Sequence, residues 1–195
     1  MGRLHHAKFY TPSPVEFGGL GSWPREVSAA LKKIEPTAKV WSPTIKPAWV
    51  SKECADITAA LDKSSLFYPR KVGDRNKARA WKANVDSRRL CQMLVNQADI
   101  LVAKLPKQFT WGTIAEIEIG ISRDIPIFIS MPDGPLGLFG IPGIVSSAKL
   151  IPEYIFLTDE ALFKKLKAIS DGSCDLPERD PERWLNLTYP NLMKV

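Results

Sequence analysis

Residues 99–130 read DILVAKLPKQFTWGTIAEIEIGISRDIPIFIS, and the order of patterns within them decides the architecture. Asp99-Ile-Leu-Val-Ala103 is a continuous apolar run of the kind a buried parallel strand shows. Trp111 to Ser122 reads as a helix, and Ile125-Pro-Ile-Phe-Ile-Ser130 as a second strand. Pro126 fits only at the first residues of that strand, where no ladder donor is needed. Strand, helix and strand in succession make a βαβ unit and therefore a parallel sheet. Such sheets bind ligands outside the carboxyl ends of their strands, in the loops that lead into helices.

The same alternation continues on both sides. Ala7 to Thr11 is a β-prone run that stops at Pro12-Ser-Pro14. Gly18 to Ser22 forms a loop, with Ser22 placed to cap a helix over Trp23–Ile34 and Pro24 in its first turn. Lys39 to Ser42 is a second short strand ended by Pro43, and residues 52–63 carry a weak helical signal. The longest helical signal runs from Asn76 to Gln97, where Ala80, Val85, Leu90, Met93 and Leu94 recur near helical spacing. A Gly/Pro-rich loop spans Gly134–Gly143, Glu153 to Leu157 gives a fifth strand, and Thr158 caps a helix reaching about Ile169. The expected fold is a Rossmann-like (flavodoxin-like) three-layer α/β sandwich with about five parallel strands over residues 1–170. Residues 171–195, rich in Pro, Asp, Glu and Arg, lack periodicity and read as an irregular tail.

At 195 residues, 45% of them hydrophobic, the chain can bury one core without disulfides or metals. No apolar stretch is long enough to span a bilayer. The opening Met1-Gly-Arg-Leu-His-His lacks the apolar centre of a signal peptide, so a cytoplasmic location is expected. Cys54, Cys91 and Cys174 are scattered and odd in number, which fits a reducing compartment and structural roles. His5 and His6 lie far from any Cys pair, so a zinc site has no support. The net charge of +6 raises the question of nucleic acid, but the bases are dispersed. Their densest stretch, Lys71 to Arg89, interleaves with Trp81 and two Asp. It reads as a solvated helix face or a site for small anions ahead of an extended nucleic-acid surface.

Chemistry concentrates where the Asp99 strand hands over to the next helix. A loop delivers Gly112-Thr113 to a helix N-terminus, whose first-turn N–H groups suit an anionic ligand or a carboxylate. Gly112 lets a ligand approach the backbone closely. Thr113-x-x-Glu116 also has the form of a capping box, in which both side chains only satisfy orphan backbone groups. Glu118 does not pair with Glu116, since residues two apart on a helix point about 200° apart. Asp99, at a strand start, reads as a structural hydrogen-bonding residue.

Gly112-Thr-Ile-Ala-Glu116 followed by Ile125-Pro126-Ile127 resembles the nucleoside 2-deoxyribosyltransferase family, including its nucleotide N-glycosidase relatives. There a Gly-Thr/Ser-x-x-Glu helix precedes "Lys-Pro-Val" and another strand. Tyr10-Thr-Pro-Ser-Pro14 is similar to the family's Tyr-Leu-Ala-Gly-Pro, and Ser42-Pro43 after the second strand also fits. The likeness spans roughly residues 7–130.

The resemblance implies that Glu116 is the nucleophile attacking the sugar C1′, forming a glycosyl ester that an acceptor base or water resolves. Tyr10 would then lie beside it and hold the carboxylate by a hydrogen bond, unless it is simply a half-buried strand tyrosine. Gly112, Thr113 and the Pro12-Ser13 turn would border the sugar, and Trp111 stacks on a base or merely packs. Ile125 replaces the family's Lys, and three further positions depart from it. Glu118 stands where it has Gly, with Gly120 two places later; Thr110 stands where it has a base-recognising Asp; and Cys91 stands where another Asp is usual, with Asp86 as a substitute further upstream. No metal or organic cofactor is required by this chemistry. The family's homo-oligomers complete one another's pockets, a contact the tail from Asp171 can supply. Two further readings stay open: hydrolysis of a nucleoside 5′-monophosphate by the same Glu, and a non-catalytic nucleotide-binding domain. A membrane partner is not expected, and nucleic acid ranks last.

Overall fold

The structure, a computed structural model, describes residues 3–12, 23–43, 45, 88–105, 111–123, 125–132 and 155–176. Five strands form one sheet: β1 (Lys8–Tyr10), β2 (Lys39–Trp41), β3 (Ile100–Lys104), β4 (Ile127–Ser130) and β5 (Ile155–Phe156). Their order is β2-β1-β3-β4-β5 and every pairing is parallel. This is the flavodoxin-like order, whose direction of winding reverses between β1 and β3. The helices among the described residues are α1 (Trp23–Ile34), α2 (residues 88–96), α3 (Trp111–Ser122) and α4 (Asp159–Ser170). The expected α/β sandwich is therefore present.

Strand β3 is central and buried along its length apart from Lys104, as its apolar run requires. Successive side chains point to opposite faces. Phe9, Ile100, Val102 and Phe128 pack with Val27 and Leu31 of α1 and with Leu162, Leu166 and Ile169 of α4. On the other face Tyr10 and Leu101 meet Leu90, Cys91, Leu94 and Val95 of α2, while Ala103 and Ile129 meet Ile114 and Ile117 of α3. Each buried Val, Leu, Ile or Phe among them contributes about 1.5–3 kcal/mol.

Local sequence explains the ends of the elements. Pro24 occupies the first turn of α1, where its missing N–H costs nothing. Thr158 caps α4, its hydroxyl accepting from the Ala161 N–H at 3.2 Å. Gly172, at φ 79°, closes that helix with its N–H on the Ile169 carbonyl. Ile125 and Pro126 fall just before β4; Pro126 lacks a donor but its carbonyl still accepts from the Leu101 N–H at 2.9 Å. Leu157, expected in β5, lies beyond the strand and is exposed. Gly120 makes the α3–β3 approach possible, since a Cβ there would stand 2.7 Å from a Leu101 methyl.

The carboxyl edge of the sheet is tied together by Lys104. Its ammonium bonds the Asp159 carboxylate at 2.6 Å and lies 4.7 Å above the Trp23 ring. Ser130 donates to the other oxygen of Asp159, so one carboxylate links β3, β4 and α4.

After α4 the chain turns without regular structure, and Cys174 and Leu176 pack against the α1/α4 core. Residues 177–195, the weak helical segment 52–63 and the loop 134–143 lie outside the described residues. So does the expected 76–97 helix before residue 88. Among the described residues, no helix is long and apolar enough to cross a membrane.

Candidate functional site: a buried Tyr10–Glu116 pair

Tyr10 is the last residue of β1, at the sheet's carboxyl edge and beside the point where the winding reverses. Because Phe9 turns toward α1 and α4, Tyr10 must turn the other way, toward α2 and α3. Its phenol is fully buried and its Oη donates to Glu116 Oε1 at 2.9 Å, a bond between residues 106 apart in sequence. The expected contact between these two side chains is made, and Tyr10 is not half-buried.

Glu116 belongs to the buried stripe of α3. Thr113, Glu116, Ile117 and Gly120 recur at helical spacing and face inward, whereas Gly112 and Glu118 are exposed. The two carboxylates of this helix therefore have unlike environments, as their spacing dictates. The helix starts at Trp111, which makes Thr113 its third residue and puts Glu116 in the second turn. A capping box would need the helix to start one residue after Thr113. Glu116 thus does not tie off its own helix end; its described partners come from elsewhere in the chain.

Burial governs the electrostatics. Loss of hydration raises the Glu116 pKa to about 8, against the opposing pull of hydrogen bonds from Tyr10 and Cys91. Burial also pushes the Tyr10 phenol well above its ordinary value, with the Glu116 charge and then Cys91 adding to the effect. Tyr10 therefore keeps its proton and remains a donor. At neutral pH most molecules carry Glu116 as a neutral acid, yet both neighbours favour the ionised form.

Cys91 is the residue that sequence reasoning placed among inert structural thiols. It is buried on α2, packs in one cluster with Tyr10, and adds to the upward shift of Tyr10 while opposing that of Glu116. The available signal was its spacing, eight residues ahead of Asp99, where the resembled family carries a functional carboxylate.

The remaining candidates are placed less centrally. Pro12 is buried two residues past Tyr10, and Thr113 lies one turn before Glu116. Gly112 is at the exposed start of α3, and Trp111 opens the helix with its side chain outside the described residues. Ser13, Asp86 and Thr110 also lie outside them. Asp99 does not join the site. Its Oδ2 accepts from the Lys8 N–H at 2.8 Å and its own N–H bonds the Lys8 carbonyl, fixing the start of the β1–β3 register. Glu116 itself is 8% exposed, so the open presentation of its carboxylate expected for a sugar pocket is not what the described residues form. Among the described residues no group of His, Cys, Asp and Glu has the arrangement of a metal site.

No protein-family model matches this chain, and no curated protein does. Among solved structures it is similar to a conserved protein from Enterococcus faecalis V583, at a TM-score of 0.42 and 15% identity. That match covers 86% of this chain and 99% of the other.

Proposed function

We propose that this protein cleaves or transfers at the N-glycosidic bond of a (deoxy)nucleoside or nucleotide, with Glu116 as the nucleophile. The observation that carries the reading is the buried Tyr10–Glu116 hydrogen bond at the carboxyl edge of a parallel sheet, next to its topological switch point. A structural carboxylate has no need of such a place. Burying one costs free energy, and its retention at a ligand-binding edge is what a reactive acid requires.

In the proposed reaction the ionised Glu116 oxygen attacks C1′ as the glycosidic bond breaks. The bonding pair leaves with the base nitrogen, which takes a proton from water, and a glycosyl ester remains. Tyr10 holds the carboxylate in one orientation and stabilises its charge. A second base then displaces the ester in transfer, or water in hydrolysis. Hydrolysis of a nucleoside 5′-monophosphate is the second reading. It is favoured by Thr110, which stands in the position where the resembled transferases carry a base-recognising Asp, and by the net charge of +6.

The test is incubation with a panel of nucleosides and 5′-monophosphates, with and without an acceptor base, following free base and new nucleoside by chromatography. Release or exchange is expected in the wild type and is lost in Glu116→Ala. Turnover that survives Glu116→Ala removes the catalytic assignment. Nucleotide-induced thermal stabilisation without turnover favours a non-catalytic binding domain.

A further inference from the structure

We propose that His5 and His6 form a two-imidazole site for a borderline divalent transition-metal ion such as Zn²⁺, with Glu35 orienting His5. The site lies at the amino edge of the sheet, opposite the Tyr10–Glu116 pair, and does not depend on the glycosidic reading.

Leu4 to Ala7 make a tight turn into β1, closed by the Ala7 N–H on the Leu4 carbonyl at 3.0 Å. His5 and His6 are its two central residues. His6 has φ 60°, at a turn position that favours glycine, and no other non-glycine among the described residues has a positive φ. In an extended chain neighbouring side chains point to opposite faces. Here the two rings meet, their centroids 3.9 Å apart and their planes tilted by 46°. Zinc–nitrogen bonds of about 2.0–2.1 Å put two imidazoles on one ion with ring centres about 4–5 Å apart, so only a small adjustment is needed. His6 is exposed, and a turn of its ring supplies that adjustment.

Hydrogen-bond counting shows which nitrogen of His5 is available. Thr37, in the turn between α1 and β2, has one hydroxyl proton, and that proton goes to Glu35 Oε1 at 2.7 Å. Thr37 Oγ1 also accepts from the His6 backbone N–H at 2.9 Å and lies 3.1 Å from His5 Nδ1. With its proton spent, the hydroxyl can only accept from the imidazole, so Nδ1 carries the hydrogen. The Nε2 lone pair of neutral His5 is left for a ligand. Glu35 Oε1 stands 3.6 Å from the same Nδ1, and Glu35 is buried and held by the Thr37 N–H at 3.2 Å. A carboxylate behind the Nδ1–H fixes the ring of a metal-binding histidine and raises its basicity.

No neighbouring Cys marks these histidines in the chain. Glu35 and Thr37 reach them because β1 and β2 pair in register from Lys8 and Lys39. Two nitrogen ligands fall short of a closed metal centre. Water fills the remaining positions, so the ion exchanges and stays open to an added ligand.

His5 and His6 are the 2 histidines of the chain, so each imidazole signal can be assigned. The full chain, prepared without a histidine tag, is studied by nitrogen-15 NMR at about pH 8, where an ordinary imidazole is neutral. Metal-free His5 should show Nδ1 protonated and Nε2 bare, and added Zn²⁺ should shift both rings together. Glu35→Gln keeps both imidazoles and an acceptor for Thr37; it should weaken Zn²⁺ binding about tenfold in calorimetry. His6→Ala should weaken it at least as much. An Nε2–H tautomer of His5, or a response from one ring alone, overturns the proposal. So does equal affinity in the wild type and Glu35→Gln, which would make this an ordinary surface pair of histidines. The tautomer and the two-ring response are read on the wild type, and they decide the matter even if a variant fails to fold.

Discussion

Replacing Glu116 by glutamine should make the protein more stable, and increasingly so as the pH rises. The folded state holds this carboxyl at a pKa of about 8, against 4.5 when it is free in the unfolded chain. Between those values the folded protein binds a proton that the unfolded chain does not. Wild-type stability from this group is thus complete below about pH 4.5 and is lost as pH climbs through about 8. Each pH unit of displacement is worth about 1.4 kcal/mol, so moving from near pH 5 to near pH 9 withdraws about 4 kcal/mol. Glutamine does not titrate, and its side-chain carbonyl can still accept from Tyr10. Every other ionisable group is common to both proteins and cancels in their difference. Denaturant unfolding of the two near pH 5, 7 and 9 should therefore give curves that almost coincide in acid and separate toward alkali. A gap that stays constant with pH would show that Glu116 titrates as an ordinary exposed carboxyl, and the account of the buried pair would fail.

Other expectations follow from the same contacts. Tyr10→Phe removes a donor to the charged carboxylate; the Glu116 midpoint should rise by about one unit in an NMR titration, with a stability loss of about 1 kcal/mol at alkaline pH. If Glu116 is the nucleophile, kcat/KM for the substrate should increase with pH and level off above about 8; a general acid would give the opposite limb. Asp159→Ala strands Lys104 in a site where little of its side chain meets water and leaves Ser130 without its acceptor. A loss of about 1–3 kcal/mol should appear in thermal unfolding, and Lys104→Met should partly relieve it.

Much of the scaffold was legible in the chain. The apolar run at 99–103, the helical spans 23–34 and 111–122 and the Thr158 cap are signals carried by neighbouring residues, and the structure places elements there. Strand ends were less legible, because whether Ile125, Pro126 or Leu157 joins the ladder depends on the partner strand's length. The Tyr10–Glu116 contact was foreseeable only through resemblance, since nothing local connects residues 106 apart. Read by itself, Thr113-x-x-Glu116 suggested a cap. That choice turned on where the helix begins, a matter of three residues.

The sequence alone determined the kind of layer each segment joins, because periodicity and turn chemistry act over a few residues and owe little to distant neighbours. It also determined that Glu116 and Glu118 face apart, since helical rise and rotation impose that on any helix. Only the tertiary structure decided that Glu116 is buried, that Tyr10 is its hydrogen-bond partner, and that its pKa is raised to about 8. Those properties arise from desolvation and hydrogen bonding among β1, α2 and α3, which meet only when the parallel sheet has brought β1 beside β3.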